Sequence, residues 1–247
     1  MIYRSRYDNI IFEFSLPQES LGVVVICDGI PSVPKQKDLM MLLNGYGYVA
    51  VYPRYQGTWE SGGEFLAQAP GDDINTVIKI IKNGLLTELY AGKDFAVKKP
   101  IYLIGSSFGG SVALSIIDNM DIDKIIAFSP IIDFQNYNKE GEEQDLLLLE
   151  SFIQNAFNMG YRFSDINWKK MVKGEIFNPI QDIDPLRASN VLVVYDLFDK
   201  EIGYRKIKEY CTKNNIETIT TQGIGHLSFS KIPGSIWEEA IKFLGYR

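Results

Sequence analysis

Several kinds of residue are scarce in this chain, and each shortage removes a class of protein. Histidine occurs once and cysteine twice in 247 residues. A His/Cys zinc site needs more ligands than that, and no carboxylate spacing suggests another metal site, so no metal is expected. A disulfide framework has only Cys27 and Cys211 to pair, and Cys27 lies inside an apolar run. Two unreactive thiols in a reducing cytoplasm are the simpler expectation. Cations are also short: 25 Lys and Arg face 31 Asp and Glu, a net charge of -6. That balance gives no electrostatic reason to hold nucleic acid or an anionic membrane. Long hydrophobic runs are missing too. None is longer than Val23 to Cys27, which is strand-sized, whereas a membrane helix needs about 20 apolar residues. The opening MIYRSRYDNIIFEF alternates charged and aromatic residues and lacks the apolar centre of a secretory leader. There is no internal repeat and no low-complexity tract.

What is present is ordinary globular material, 46% hydrophobic and 23% charged. The length suits one α/β domain with a modest insertion, and the core can be large enough to need no staple. Residues 1–16 read as one or two strands. Gly22 to Cys27 is a continuous β-branched run, the pattern of a strand buried on both faces. Residues 35–44 carry apolar positions at helical spacing and stop at Asn44-Gly45. Tyr48 to Tyr52 is a second buried strand. Asp72-Asp73 open a helix with Ile74, Val77, Ile78 and Ile81 on one side. The strand 101–104, a helix from Phe108 to about 119, and the strands 124–128, 191–195 and 217–221 follow. A helix near 201–213 and a last one from about Pro233 complete the series. Strand and helix alternate, which predicts a mainly parallel, doubly wound sheet with chemistry at the carboxyl ends of its strands.

One such end carries Gly105-Ser106-Ser107-Phe108-Gly109, the pattern Gly-x-Ser-x-Gly. The bare pentad is a weak signal. Its context, an apolar strand running in and a helix leaving at once, is the arrangement the motif requires. Ser107 is therefore expected to project as a nucleophile from a tight turn, with Ser106 structural. The Phe108 N–H, at the helix N-terminus, would point at a developing oxyanion. The sole imidazole, His226 in Gly223-Ile224-Gly225-His226, follows the last strand and precedes the last helix. Imidazole is the natural base for a serine, and no other is available. An orienting carboxylate should lie between them in the chain. Asp199 is favoured, being far enough into its loop to meet His226; Asp196, at the strand end, could instead fix the turn, and Glu201 is a third choice.

With Ser107, Asp199 and His226 in this order, the chain resembles the α/β-hydrolase superfamily over nearly its whole length. The segment Gly45 to Gly63, GYGYVAVYPRYQGTWESGG, looks like a stretch shared by dienelactone-hydrolase-like esterases and prolyl-oligopeptidase-like catalytic domains. Gln56 stands where Arg is usual there, and Arg54 where Asp is common. The resemblance implies an α/β-hydrolase core over 1–133 and 191–247, a helical cap inserted at 134–190, and a second oxyanion donor, the N–H of Ile30. That donor lies in the turn Asp28-Gly29-Ile30, where such families carry His-Gly. A carboxylate at 28 would oppose an oxyanion if it pointed inward.

Residues 134–190 are rich in aromatics (Phe134, Tyr137, Phe152, Phe157, Tyr161, Phe163, Trp168 and Phe177), and a helix ending at Gly160 is expected among them. Such a cap would bury one face and line a pocket with another, predicting a small acyl substrate with an apolar or aromatic part. The plainer reading is a helical layer with an ordinary core, or an oligomer interface, which leaves a homo-oligomer open. The function expected is hydrolysis of an ester or related acyl bond without a cofactor. A peptidase with the same triad and a non-catalytic binding protein of the same fold are the alternatives.

Overall fold

The period-two alternation of side chains along buried strands sorts the apolar residues of this chain into two cores. In β3 (Gly22–Cys27) of the computed structural model, Val23, Val25 and Cys27 face one core and Val24 and Ile26 the other. The same division holds for β4 (Tyr48–Pro53), β7 (Ile101–Ser106), β8 (Lys124–Phe128) and β9 (Val191–Asp196). The structure describes residues 1–137, 145–181 and 183–246.

Eight strands form one sheet in the order β1-β2-β4-β3-β7-β8-β9-β10, with β1 Ile2–Tyr7, β2 Ile10–Ser15 and β10 Glu217–Thr221. Strand β2 pairs antiparallel with both of its neighbours, and every pair from β4 to β10 is parallel. Helices α1 (Lys37–Gly45) and α8 (Gly234–Phe243) cover one face, through Leu39, Met40, Leu43, Trp237 and Ile241. Helices α2 (Pro70–Lys82), α3 (Phe108–Ser115) and α7 (Tyr204–Asn214) cover the other, through Ile74, Ile78, Val112, Ile207 and Tyr210. This is the mainly parallel, doubly wound sheet that the alternation predicts. Each fully buried Val, Ile, Leu or Phe contributes about 1.5–3 kcal/mol, so two such layers carry most of the stability.

Some local expectations differ from the structure. A separate hairpin of β5 (Leu85–Thr87) and β6 (Asp94–Ala96) has no counterpart among the expected elements, because three-residue strands have no periodicity to read. Helix α3 stops at Ser115, short of 119. The left-handed residue after α1 is Gly47, not Gly45, and Pro233 caps α8 rather than starting it. Asp73 does more than complement a helix end. Its buried carboxylate accepts from the Gln56 N–H and side-chain amide and from the Gln68 amide, each at 2.8 Å, and so pins the loop after β4. The uncommon Arg54 is likewise structural: its guanidinium lies 3.0 Å from Glu13, 3.5 Å from Glu60 and over the Tyr52 ring.

Between β8 and β9 come α4 (Leu146–Ala156), α5 (Asp165–Val172) and α6 (Pro185–Ala188). Asp145 caps α4 by accepting from the N–H groups of Leu147 and Leu148, which satisfies two orphan donors. Trp168 is fully buried and its indole donates to the Leu146 carbonyl at 2.9 Å, tying α5 to α4. Helix α4 ends at Ala156, not at Gly160. Gly160 instead packs against Trp59. Its carbonyl accepts from the Trp59 N–H at 2.7 Å, and a Cβ there would meet the Trp59 ring at 3.0 Å. Most of the aromatics of this segment are packed as core, with Phe134, Tyr137, Tyr161, Trp168 and Phe177 buried and Phe152 exposed. Among the described residues no helix is long and apolar enough to cross a membrane.

Cys27 and Cys211 are both free and buried, and burial raises both thiols, Cys211 to about 12. A thiol kept protonated and inaccessible is a poor nucleophile. The native protein is therefore expected to release almost no thionitrobenzoate from Ellman's reagent, and two equivalents once denatured. Fast stoichiometric release from the folded protein would contradict this packing.

Candidate active site

The carboxyl ends of β7, β8, β9 and β10 converge because each strand hands a hydrogen bond to the next one beyond its last ladder position. The Ser107 N–H donates to the Phe128 carbonyl at 2.8 Å, the Ser129 N–H to Val194 at 2.8 Å, and the Leu197 N–H to Thr221 at 2.9 Å. The residues that follow these ends are thereby held side by side along one rim.

Ser107 has φ 56° and ψ −126°, a conformation that L side chains rarely adopt, costing about 1–3 kcal/mol. The glycines of the pentad are there for steric reasons. A Cβ on Gly105 would lie 2.2 Å from the Gly109 carbonyl oxygen, and one on Gly109 would lie 2.0 Å from the Cys27 carbonyl oxygen. The turn is so tight that only hydrogen fits at either position. Gly29 packs on the same turn from the β3 side, its Cβ direction 3.4 Å from the Ser107 Cβ. The chain after β3 is thus brought against Ser107. Neither the Phe108 nor the Ile30 N–H donates to a protein acceptor among the described residues.

His226 and Asp199 meet: Nδ1 lies 2.9 Å from Oδ2, with both residues buried. The other oxygen, Oδ1, accepts from the N–H groups of Glu201 (3.0 Å) and Ile202 (3.2 Å). Burial works to raise the Asp199 pKa, but bonds from His226, Ser129 and Ile202 outweigh it and hold the carboxyl below the ordinary value. An ionised Asp199 keeps the Nδ1 proton in place and leaves Nε2 as an acceptor. Asp196 is the turn-fixing residue. It accepts from the Thr221 hydroxyl (2.8 Å) and from the N–H groups of Phe198 (2.8 Å), Ile224 (3.0 Å) and Gly223 (3.3 Å). Glu201 contributes its backbone N–H to Asp199.

The loop bearing His226 is fastened at the next residue. The Leu227 carbonyl accepts from the Ser106 hydroxyl at 2.8 Å, and the Leu227 N–H donates to Ser129 Oγ at 3.3 Å. Ser106 is structural, as its position beside the pentad's centre suggests. Ser129, with φ 41° and no exposure, is a site residue that motif reading does not find; a small polar residue before proline at a strand's carboxyl end is the available signal.

Ser107 and His226 line one open cleft of about 870 Å³, together with Asp28, Gly29, Ile30, Gln36, Glu201 and Trp237. The Asp28 carboxyl is fully engaged: Oδ2 accepts from the Tyr52 hydroxyl at 2.5 Å, and Oδ1 from the Gly29 N–H at 3.0 Å and the Gln36 amide at 3.1 Å. Burial raises its pKa despite these bonds. The following Ser32 is held from across the fold, its N–H donating to the Tyr161 hydroxyl at 2.9 Å and its carbonyl accepting from the Trp59 indole at 3.0 Å. No sequence signal links positions 32 and 161. Among the described residues no group of His, Cys, Asp and Glu could hold a metal ion.

No family model and no curated protein matches this chain. Solved structures do match it, over nearly its full length. An α/β hydrolase, GrgF, from Penicillium sp. sh18 superposes with a TM-score of 0.69 at 16% identity, covering 99% of this chain and 97% of that one. A thermostable carboxyl esterase from Bacillus coagulans gives 0.65 at 13% identity, over 99% and 97%. An acylaminoacyl peptidase from Pyrococcus horikoshii gives 0.62 at 15% identity, over 100% of this chain and 40% of that one. The fold is that of the α/β hydrolases.

Two outcomes are expected of this geometry. Gly109→Ala drives a Cβ into backbone and should cost about 3 kcal/mol, a fall in Tm of about 6–12 °C. Gly234→Ala, with no atom within 4 Å, is the control and should leave Tm nearly unchanged. Asp28→Asn tests the buried carboxyl. Because the folded pKa of Asp28 lies above its unfolded value, stability from this group is greatest below that value and is lost as pH rises through the folded pKa. The Tm of Asp28→Asn relative to wild type should therefore be more favourable at about pH 8 than at about pH 4. The opposite trend in paired thermal melts would contradict a raised carboxyl.

Proposed function

We propose that this chain is a serine hydrolase that cleaves a carboxylic ester or related acyl bond through an acyl-enzyme. The observation that carries the reading is the Asp199–His226 hydrogen bond at the rim of a cleft that also holds the strained Ser107 turn.

In this reading Ser107 Oγ attacks the acyl carbon while His226 Nε2 removes its proton, and the carbonyl π electrons move onto oxygen. The N–H groups of Ile30 and Phe108, which have no acceptor among the described residues, receive the resulting oxyanion. Asp199 holds the imidazole and stabilises the imidazolium. Collapse of the intermediate breaks the bond to the leaving oxygen, which takes the proton from His226. Water repeats the sequence on the acyl-enzyme and releases the acid. None of these steps needs a cofactor. The Asp28 oxygens are turned to Tyr52, Gln36 and Gly29, whose donors they accept. The helices between β8 and β9 serve as the cap, and the apolar walls of the cleft, including Trp237, Leu39 and Phe229, suit a substrate with an apolar or aromatic part.

A fluorophosphonate should form one adduct on Ser107, absent in Ser107→Ala. Turnover of p-nitrophenyl esters should fall roughly 10⁴-fold or more in Ser107→Ala and His226→Ala, and roughly 10³–10⁴-fold in Asp199→Asn. Esters should be cleaved far faster than dipeptide anilides; the reverse order would favour a peptidase. A folded protein that leaves Ser107 unmodified would refute the proposal.

A further inference from the structure

The two spaces that meet at Ser107 are very unequal. One is the open cleft of about 870 Å³, whose wall includes His226. The other is an apolar crevice of about 10 Å³, in which Ile131, Phe134, Leu146, Leu149 and Met171 join Ser107, Ile30 and Phe108 as the lining. A cavity of that size has room for about one water-sized group.

Tetrahedral geometry assigns the two halves of an ester to these spaces, given the hydrolase reading above. The acyl carbon of the intermediate has four substituents. One is Ser107 Oγ, and one is the oxyanion at the Ile30 and Phe108 N–H groups. The leaving oxygen must lie beside the imidazole that protonates it, on the His226 side, which is the open cleft. The remaining substituent, the acyl chain, is directed away from His226, into the crevice. We infer that the acyl half of the substrate is acetyl-sized, and that the larger part of the molecule is the alcohol, held in the open cleft.

The crevice is not easily widened. Phe134, almost fully buried, packs its ring edgewise on Phe108 at 6.3 Å and on Phe177 at 5.0 Å. Its N–H is held by the Asn178 side chain at 3.0 Å, and Met171, which lines the same crevice, is fully buried. Side chains packed this way do not yield to a longer chain without displacing their neighbours. The cleft, by contrast, mixes polar and apolar groups, among them Gln36, Lys231, Phe229 and Trp237, and is open enough to take alcohols of different size.

The test is an acyl series on one leaving group, p-nitrophenyl acetate, butanoate, hexanoate and octanoate, with wild type, Leu149→Ala and Met171→Ala. Wild type should prefer acetate, with kcat/KM for butanoate lower by about 10-fold or more. Either truncation should raise the butanoate-to-acetate ratio by about 10-fold, and the two variants guard against one of them failing to fold. Exchanging p-nitrophenol for the bulkier 4-methylumbelliferone at constant acetyl should change kcat/KM by only a few-fold. A wild type that forms the Ser107 fluorophosphonate adduct yet prefers hexanoate or octanoate overturns the inference and leaves the hydrolase reading standing. So does a ratio that neither truncation moves. Absence of both adduct and turnover overturns the two together.

Discussion

The site depends on the parallel ladder running one step past its ends. In a parallel pair the backbone groups are evenly spaced and slanted, so a strand that stops leaves donors and acceptors that the next strand can still reach. Here the N–H groups of Ser107, Ser129 and Leu197 take up those acceptors on β8, β9 and β10 in turn. Each loop then departs from a fixed point, although its functional residue comes from a distant part of the chain. Without that lacing Asp199 and His226, 27 residues apart, would have no reason to meet. The backbone strain at Ser107 persists for the same reason: the Phe128 carbonyl holds the turn from one side, and the Cys27 carbonyl leaves no room on the other.

Three buried aspartates at this rim show how environment separates chemically identical groups. Asp196 and Asp199 are each surrounded by several donors, and those bonds outweigh the cost of burial, so both carboxyls are held below the ordinary value. Only Asp199 has the imidazole among its donors; the oxygens of Asp196 go to the turns after β9 and β10. At Asp28, also buried, the cost of burial outweighs the bonds from the Tyr52 hydroxyl, the Gln36 amide and the Gly29 N–H, and the carboxyl is raised. A carboxyl of that kind shapes the turn that carries Ile30, its oxygens held by Tyr52, Gln36 and Gly29.

The segment between β8 and β9 is joined to the core at the site itself. Tyr161 forms a bridge with Thr58, and its hydroxyl meets Ser32. Trp59 meets both Gly160 and Ser32. The loop following the Ile30 turn is thus shaped by residues from two other segments. The aromatic richness of 134–190 goes mostly into this packing, and Phe134 is the aromatic that reaches the crevice beside Ser107.

The sequence by itself determined the sheet, the two covered faces, and the turn carrying Ser107, because these are local: β-branched runs, helical spacing, and glycines flanking a serine between a strand and a helix. It also left His226 as the only imidazole available for such a role. It could not separate Asp199 from Asp196 except by position, because both follow the same strand. Only the folded arrangement decided, by giving the turn donors to one and the imidazole to the other. Ser129, Tyr161 and the engagement of Asp28 were illegible for a related reason. The partners of Ser129 and Tyr161, and the Tyr52 hydroxyl that meets Asp28, lie tens of residues away or more, and hydrogen bonds across such separations leave no periodicity in a chain. The sizes of the cleft and the crevice belong to the same class, being set by how whole elements pack and not by any one residue.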